Sequence, residues 1–199
     1  MVQSDNLNKS NCTDQQLQTA AIQSILNHQP TNLTFYTDGS VQNSNKDGSF
    51  AIIETTGDPL HPKVINSHTF AGPPICSSYF AEALAINKTL EILNNKHLAP
   101  HPNILICTDS KSILTHISSI HKASNPIISN IQTNLRHLQN KMNLTLQWIP
   151  SHVNIPGNEM ADQAAKQGAK LSHTDCQIAF PQLNAPSIRS SPTPLLLIH

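Results

Sequence analysis

Asp38 and Asp109 stand in near-identical settings. Leu33-Thr34-Phe35-Tyr36-Thr37-Asp38-Gly39-Ser40 is a short apolar and aromatic stretch ending in Thr-Asp-Gly-Ser, and Ile104-Leu105-Ile106-Cys107-Thr108-Asp109-Ser110 is a continuous apolar run ending in Thr-Asp-Ser. An unbroken run of this kind suits a strand buried on both faces, as in a parallel sheet. Parallel neighbours would bring the last residues of the two strands roughly 5 Å apart laterally. Both carboxylates would then crowd at the carboxyl edge of the sheet, where α/β proteins place their ligands. Two carboxylates that close repel each other unless a proton or a cation lies between them. The hard cation suited to carboxylate and phosphate oxygens is Mg²⁺.

A third carboxylate and a histidine follow at Trp148 to Lys166. Leu144, Leu146 and Trp148 alternate as a strand would, and a loop punctuated by Pro150, Pro156 and Gly157 carries His152. Asn158 is the expected N-cap of the next helix, and Glu159 favours its first turn. Ala161, Ala164, Ala165 and Ala169 recur at helical spacing, a stripe of small residues that lets the helix lie close on a sheet. Asp162 lies one position round from that stripe. A carboxylate on a rigid helix beside a histidine on a loop has the makings of a site.

The elements that must position these groups can be read from the same periodicities. Residues 1–12 are polar and expected to be disordered. Asp14 to His28 forms one amphipathic helix, with Leu17, Ala20, Ala21, Ser24 and Ile25 on one face and Pro30 as its stop. It is either a packed extension or the remnant of a linker, and the sequence leaves both open. Leu33–Asp38, a strand beginning at Phe50, and Val64–Phe70 read as an antiparallel meander, with a polar turn from Val41 to Asp47. Ser77 or Ser78 caps a helix to about Asn95 whose apolar face holds Phe80, Ala83, Ile86, Leu90 and Leu93. Glu82 sits beside that face in the first turn. A fourth strand, a helix from Ser110 to about Ile120, a break at Asn125-Pro126 and a helix to Met142 precede the fifth strand. From Leu171 onward a Pro/Ser-rich stretch without periodicity reads as linker or disorder.

In order, Thr-Asp-Gly-Ser, Phe80-Ala81-Glu82-Ala83 opening a helix, Thr-Asp-Ser, and Pro-Ser-His-Val-x-Ile-Pro-Gly-Asn-Glu-x-Ala-Asp resemble ribonuclease H type 1. The version most similar in motif is the one carried by reverse transcriptases of non-LTR retrotransposons. The resemblance divides the chain into a polar segment and helix (1–31), a ribonuclease H type 1 domain (32–170) and a tail (171–199). It implies an α/β ribonuclease H-like fold, with a five-stranded mixed sheet flanked by helices. It also implies Mg²⁺-dependent hydrolysis of the RNA strand of RNA–DNA hybrids. Asp38, Glu82, Asp109 and Asp162 match the four carboxylates that hold two Mg²⁺ in the family, with Mn²⁺ as a substitute. The resemblance also implies that Glu82 accepts a hydrogen bond from a substrate 2′-OH, the group that separates RNA from DNA. His152 matches the loop histidine that assists proton transfer or product release. Gly39 and Ser40 are expected to let the backbone turn tightly beside the metals; both are assigned to substrate binding with Ser78, which, with Ser77, stands where the family touches substrate backbone.

Two features depart from the family pattern. Asn154 stands where the retrotransposon motif commonly has Gly, and the basic substrate-gripping insertion is absent. Lys111, Lys122, Arg136 and Lys141 are dispersed through the stretch where it would lie. With 12 basic and 12 acidic residues the formal charge is zero, whereas nucleic-acid binders are usually basic. Two bound Mg²⁺ would supply about four positive charges at the site itself. The expectation is a monomeric domain that binds hybrid weakly and salt-sensitively on its own, with an upstream reverse transcriptase domain as partner. The other reading is a catalytically inactive hybrid-binding remnant of a retroelement, against which the intact carboxylate set argues.

The remaining composition narrows the class. Just under 200 residues allow one domain with a real core. Cys12, Cys76, Cys107 and Cys176 show no C-x-x-C spacing, so neither a zinc ribbon nor a disulfide framework is indicated. The first ten residues lack a signal-peptide core, and Pro194–Ile198 is too short to span a bilayer. No membrane association and an intracellular location are expected.

Overall fold

The computed structural model describes residues 2–3, 12–42, 46–119 and 125–170. Its elements are β1 (Val2–Gln3), α1 (Asp14–Leu26), β2 (Leu33–Gln42), β3 (Lys46–Thr56), β4 (Lys63–Ala71), α2 (Ser78–Asn94), β5 (Asn103–Thr108), α3 (Lys111–Ser118), α4 (Pro126–Leu138), β6 (Asn143–Trp148) and α5 (Pro156–Gly168). The sheet order is β1-β6-β5-β2-β3-β4. β2, β3 and β4 form the antiparallel meander, while β2, β5 and β6 run parallel. The five expected strands therefore make the mixed sheet of a ribonuclease H-like fold. One correction concerns the N-terminus, where Val2–Gln3 adds a two-residue parallel strand to the β6 edge instead of being disordered.

Helices cover both faces, as the buried apolar character of the parallel strands demands. One face carries α2, α3 and α4. Leu84, Leu90 and Leu93 of α2, Ile113 and Leu114 of α3 and Ile131 and Leu138 of α4 close on Phe35, Ile52, Ile104 and Ile106. The other face carries α1 and α5, with Leu17, Ala21, Ile22 and Ile25 of α1 packed with Tyr36, Ile53, Leu105 and Cys107. The Leu, Ile and Phe side chains among these each contribute about 1.5–3 kcal/mol when fully buried. The α1 helix is thus a packed extension, the first of the two alternatives. It begins with a reciprocal capping box: Thr13 Oγ1 accepts from the Gln16 amide, and the Thr13 amide donates to Gln16 Oε1 at 2.8 Å.

Several boundaries differ from expectation. β2 runs on to Gln42, so Asp38 is a mid-strand residue opposite Ala51 and not the end of its strand. Within the expected polar turn from Val41 to Asp47, the pairing of Gln42 with Lys46 extends both strands. α4 stops at Leu138, short of Met142. α5 is capped by Ile155, with Pro156 in the first helical position, where its missing N–H costs nothing. Asn158 is consequently not the N-cap but a buried residue inside the first turn. The face that meets the sheet is Gly157, Ala161, Ala165 and Gly168, so Ala164 and Ala169 fall at its margin.

Candidate active site

Parallel pairing of β2 with β5 places Thr37 opposite Thr108, so the next residues, Asp38 and Asp109, emerge side by side. On its other side Asp38 is flanked by β3, and the residue is only 7% exposed. α2 contributes Glu82 from above. Ser77 starts that helix by accepting a hydrogen bond from the Phe80 amide at 3.2 Å. Gly39 sets how near the helix lies: a Cβ there would overlap the backbone of Ala81 and Glu82 and come 2.8 Å from Ala81 Cβ. Oxygens of Asp38, Glu82 and Asp109 converge within 4.8 Å of one another.

The electrostatics of this triad are those of crowded, desolvated acids. Burial, then Asp109, then Asp162 push the Asp38 carboxyl up to about 7, against a smaller downward pull from the Gly39 amide hydrogen bond and Lys166. Glu82 is likewise held well above the usual carboxylate range by burial, Asp109 and Asp38, again opposed by the Gly39 amide. Glu82 Oε2 is buried and has no hydrogen-bond partner. A buried, unsatisfied carboxylate oxygen facing two further carboxylates costs free energy. A divalent cation would relieve that cost, and an all-carboxylate donor set fits a hard, oxygen-preferring ion.

Asp162 approaches from α5, close enough to Asp38 to raise its proton affinity. Its own nearest partner is Lys166 one turn on, Nζ to Oδ2 at 2.7 Å. Asp162 also converges with His152 and Glu159, the three offering ligand atoms within 4.8 Å. Glu159 Oε1 is a second buried oxygen without a partner. Sequence reasoning placed Glu159 only as a first-turn acid. The signal for more was its i,i+3 spacing to Asp162, which puts both carboxylates on one helical face.

His152 stands exposed on the loop between β6 and α5, with a left-handed backbone (φ 57°). Asn154, the departure from Gly, takes φ 58°. Asn tolerates this region better than most residues, so the loop keeps the conformation a glycine would take. Ser40 lies on β2 beyond Gly39, where its carbonyl is 3.5 Å from Ser49 Oγ. Ser78 is exposed on the first turn of α2 and leaves the capping to Ser77. Trp148 is a core residue whose Nε1 donates to the Asp109 carbonyl at 3.1 Å, with Lys111 Nζ 5.3 Å from its ring centre. It therefore buttresses the backbone that carries Asp109.

No helix among the described residues is long and apolar enough to cross a membrane. No curated protein sequence matches the chain. Solved structures do. The RNase H1 of the halophilic archaeon Halobacterium salinarum NRC-1 aligns with TM-score 0.54 at 16% identity, over 69% of this chain and 97% of that one. LC11-RNase H1, solved in complex with RNA/DNA hybrid, aligns with TM-score 0.52 at 17% identity, over 68% and 98%. The foamy viral protease-reverse transcriptase, also solved with RNA/DNA hybrid, aligns with TM-score 0.53 at 20% identity, over 70% of this chain and 20% of that one. These likenesses establish the shared fold. The RNase H family profile matches residues 30–170, which spans β2 through α5 and all four acidic candidates. The chain belongs to the RNase H family.

Proposed function

We propose that this chain is a divalent-metal-dependent endoribonuclease that hydrolyses the RNA strand of RNA–DNA hybrids and leaves 3′-hydroxyl and 5′-phosphate ends. The observation that carries the reading is the convergence of Asp38, Glu82 and Asp109, with one Glu82 oxygen buried and unpartnered, in a chain of this family. Two of the structural relatives were solved with RNA/DNA hybrid. Asp38, Glu82, Asp109 and Asp162 would hold two Mg²⁺, with Mn²⁺ able to substitute. When bound, such ions ease deprotonation of an attacking water and stabilise the charge that builds on the departing 3′ oxygen.

The chain's own residues supply the rest. Glu82, at the start of α2, accepts a hydrogen bond from a substrate 2′-OH and so selects RNA. The exposed imidazole of His152 exchanges a proton with the reacting phosphate or the product and hastens release. Gly39, Ser40 and Ser78 line the approach to the acids and contact the substrate backbone. Binding is shape-selective with little sequence preference, since hybrids are read through groove form and 2′-OH groups. The scattered basic residues make the grip of the domain alone weak and steeply salt-dependent. A retroelement context, in which a reverse transcriptase domain upstream supplies that grip to an intracellular, monomeric ribonuclease H domain, accounts for both features.

The test is cleavage of an end-labelled RNA–DNA hybrid with Mg²⁺, beside single-stranded RNA, duplex RNA and duplex DNA, for the wild type and Asp109→Asn. Cutting confined to the RNA strand of the hybrid, and lost in the variant, is the expected result. Saturating protein that cuts nothing at low salt would leave the inactive, hybrid-binding remnant as the better reading.

A further inference from the structure

We propose that helix α1, which precedes the family-matched region, fixes the position of the His152 loop, with Gln18 as the positioning residue. Gln18 Nε2 donates to the Asn154 carbonyl at 2.7 Å, across 136 positions of sequence. That carbonyl lies two residues beyond His152, and both His152 and Asn154 hold left-handed backbones. Non-glycine residues keep such conformations only where the surroundings over-determine them. Here α1 supplies part of that determination. Val153 and Ile155 alternate with His152 and Asn154 along the loop, 3% and 1% exposed, and pack in one cluster with Leu17, Ala21, Ile22 and Ile25 of α1. The loop thus buries two side chains in this cluster and ties its backbone to Gln18, while His152 stays exposed beside Glu159 and Asp162.

The other end of the helix is anchored as well. Just past α1, His28 Nε2 lies 3.1 Å from Oε1 of the buried Gln147, whose Nε2 donates to the Trp148 carbonyl at 2.8 Å. Trp148 in turn holds the Asp109 backbone. The segment 14–28 therefore spans from the histidine loop to the strand that supports the acids, and a rigid helix held at both ends can fix the loop against that strand. None of residues 14–28 lies in the stretch 30–170 that defines the family match, so this chain carries its own support for the loop. The catalytic consequence rests on the function proposed above; the tie itself does not.

The experiment compares full-length wild type with Gln18→Glu, which keeps the shape but cannot donate, and Gln18→Lys, which restores a donor. Two readouts are taken: amide hydrogen exchange over 150–156, and the kcat and KM of hybrid cleavage, with and without His152→Ala. In Gln18→Glu, exchange over 152–155 is expected to accelerate about tenfold, the scale of one lost hydrogen bond, while α1 amides keep their protection. The same variant should lose about three- to tenfold in kcat at unchanged KM, recover with Gln18→Lys, and show no further loss once His152 is Ala. Unchanged exchange in Gln18→Glu overturns the tie. Faster exchange with an equal kcat loss in the His152→Ala background overturns the positioning role. A wild type that cuts no hybrid sinks the proposed function and its catalytic consequence here, while the exchange readout still decides whether α1 holds the loop.

Discussion

Gly39 and Glu82 touch through their backbones: a Cβ on Gly39 would occupy the space of the Glu82 amide nitrogen. The Gly39 amide also pulls down, against the larger effect of burial, the proton affinity of both Asp38 and Glu82. One residue without a side chain therefore sets the distance between a strand acid and a helix acid. Any side chain at Gly39 must push α2 outward, because backbone, unlike the tip of a flexible side chain, cannot step aside. Gly39→Ala is expected to destabilise by about 1–3 kcal/mol or more through overpacking and to abolish detectable hybrid cleavage. Chemical denaturation and the cleavage assay check the two effects separately.

The raised proton affinity of Asp38 and Glu82 has a direct pH signature. A carboxyl whose folded-state value lies above its unfolded one binds more protons when folded. Its stabilising contribution is complete below the unfolded value and fades as pH rises through the folded one. Metal-free protein should therefore lose stability between about pH 4, the unfolded carboxyl value, and about 7, the Asp38 value. Mg²⁺ should reverse this, so the rise in Tm on adding Mg²⁺ grows with pH across that window. Thermal unfolding at a series of pH values, with EDTA and with Mg²⁺, measures it. A Tm shift that is flat with pH would count against cation binding at these acids.

A second buried carboxylate lies outside the site and tests stability alone. Glu54 on β3 is fully buried, with Lys96 Nζ 2.5 Å from Oε1 and Asn66 Nδ2 donating to Oε2 at 2.8 Å. Removing one partner of a buried ion pair leaves the other charge uncompensated. Lys96→Met should cost about 1–3 kcal/mol, because Glu54 is fully buried while Lys96 is 27% exposed, with cleavage per folded molecule unchanged. Urea midpoints together with specific activity at low temperature separate the two.

The left-handed Asn154 permits a graded test of the loop. Asn154→Gly should be stability-neutral to within about 1 kcal/mol, because glycine takes this backbone freely and loses more entropy on folding. Asn154→Val should be worse than either, since a β-branched side chain there is a true outlier. The expected order of kcat is Asn and Gly together, then Val several-fold lower, with KM little changed. Steady-state kinetics on the three proteins decides it.

Much of the architecture was legible from residue order. The apolar runs around Phe35 and Ile106, the amphipathic stripe of α2 and the Pro/Gly punctuation before α5 each fold by local rules of periodicity and capping, so sequence predicted those elements and their layers. The pairing of Asp38 with Asp109 followed from two like strands ending in like motifs, and the β2–β5 register places the two acids side by side. Helix starts were less legible. Asn158 is a better cap than Ile155 by side-chain chemistry, yet Pro156 moves the start upstream and the sheet buries Asn158.

What only the tertiary structure decided are the relations between residues far apart in sequence. The fourfold acid set resolves into a close triad of Asp38, Glu82 and Asp109, with Asp162 beside it in the company of His152 and Glu159. Glu159 joins because α5 sets it beside the His152 loop, a proximity that its i,i+3 spacing to Asp162 does not give by itself. Likewise α1, open between packed helix and linker when read alone, is settled by Leu17, Ile22 and Ile25 filling the cluster under Val153 and Ile155. Periodicity tells a helix which of its faces is apolar. Which surface that face meets is fixed by packing, where shape and distance act between residues that the chain itself keeps far apart.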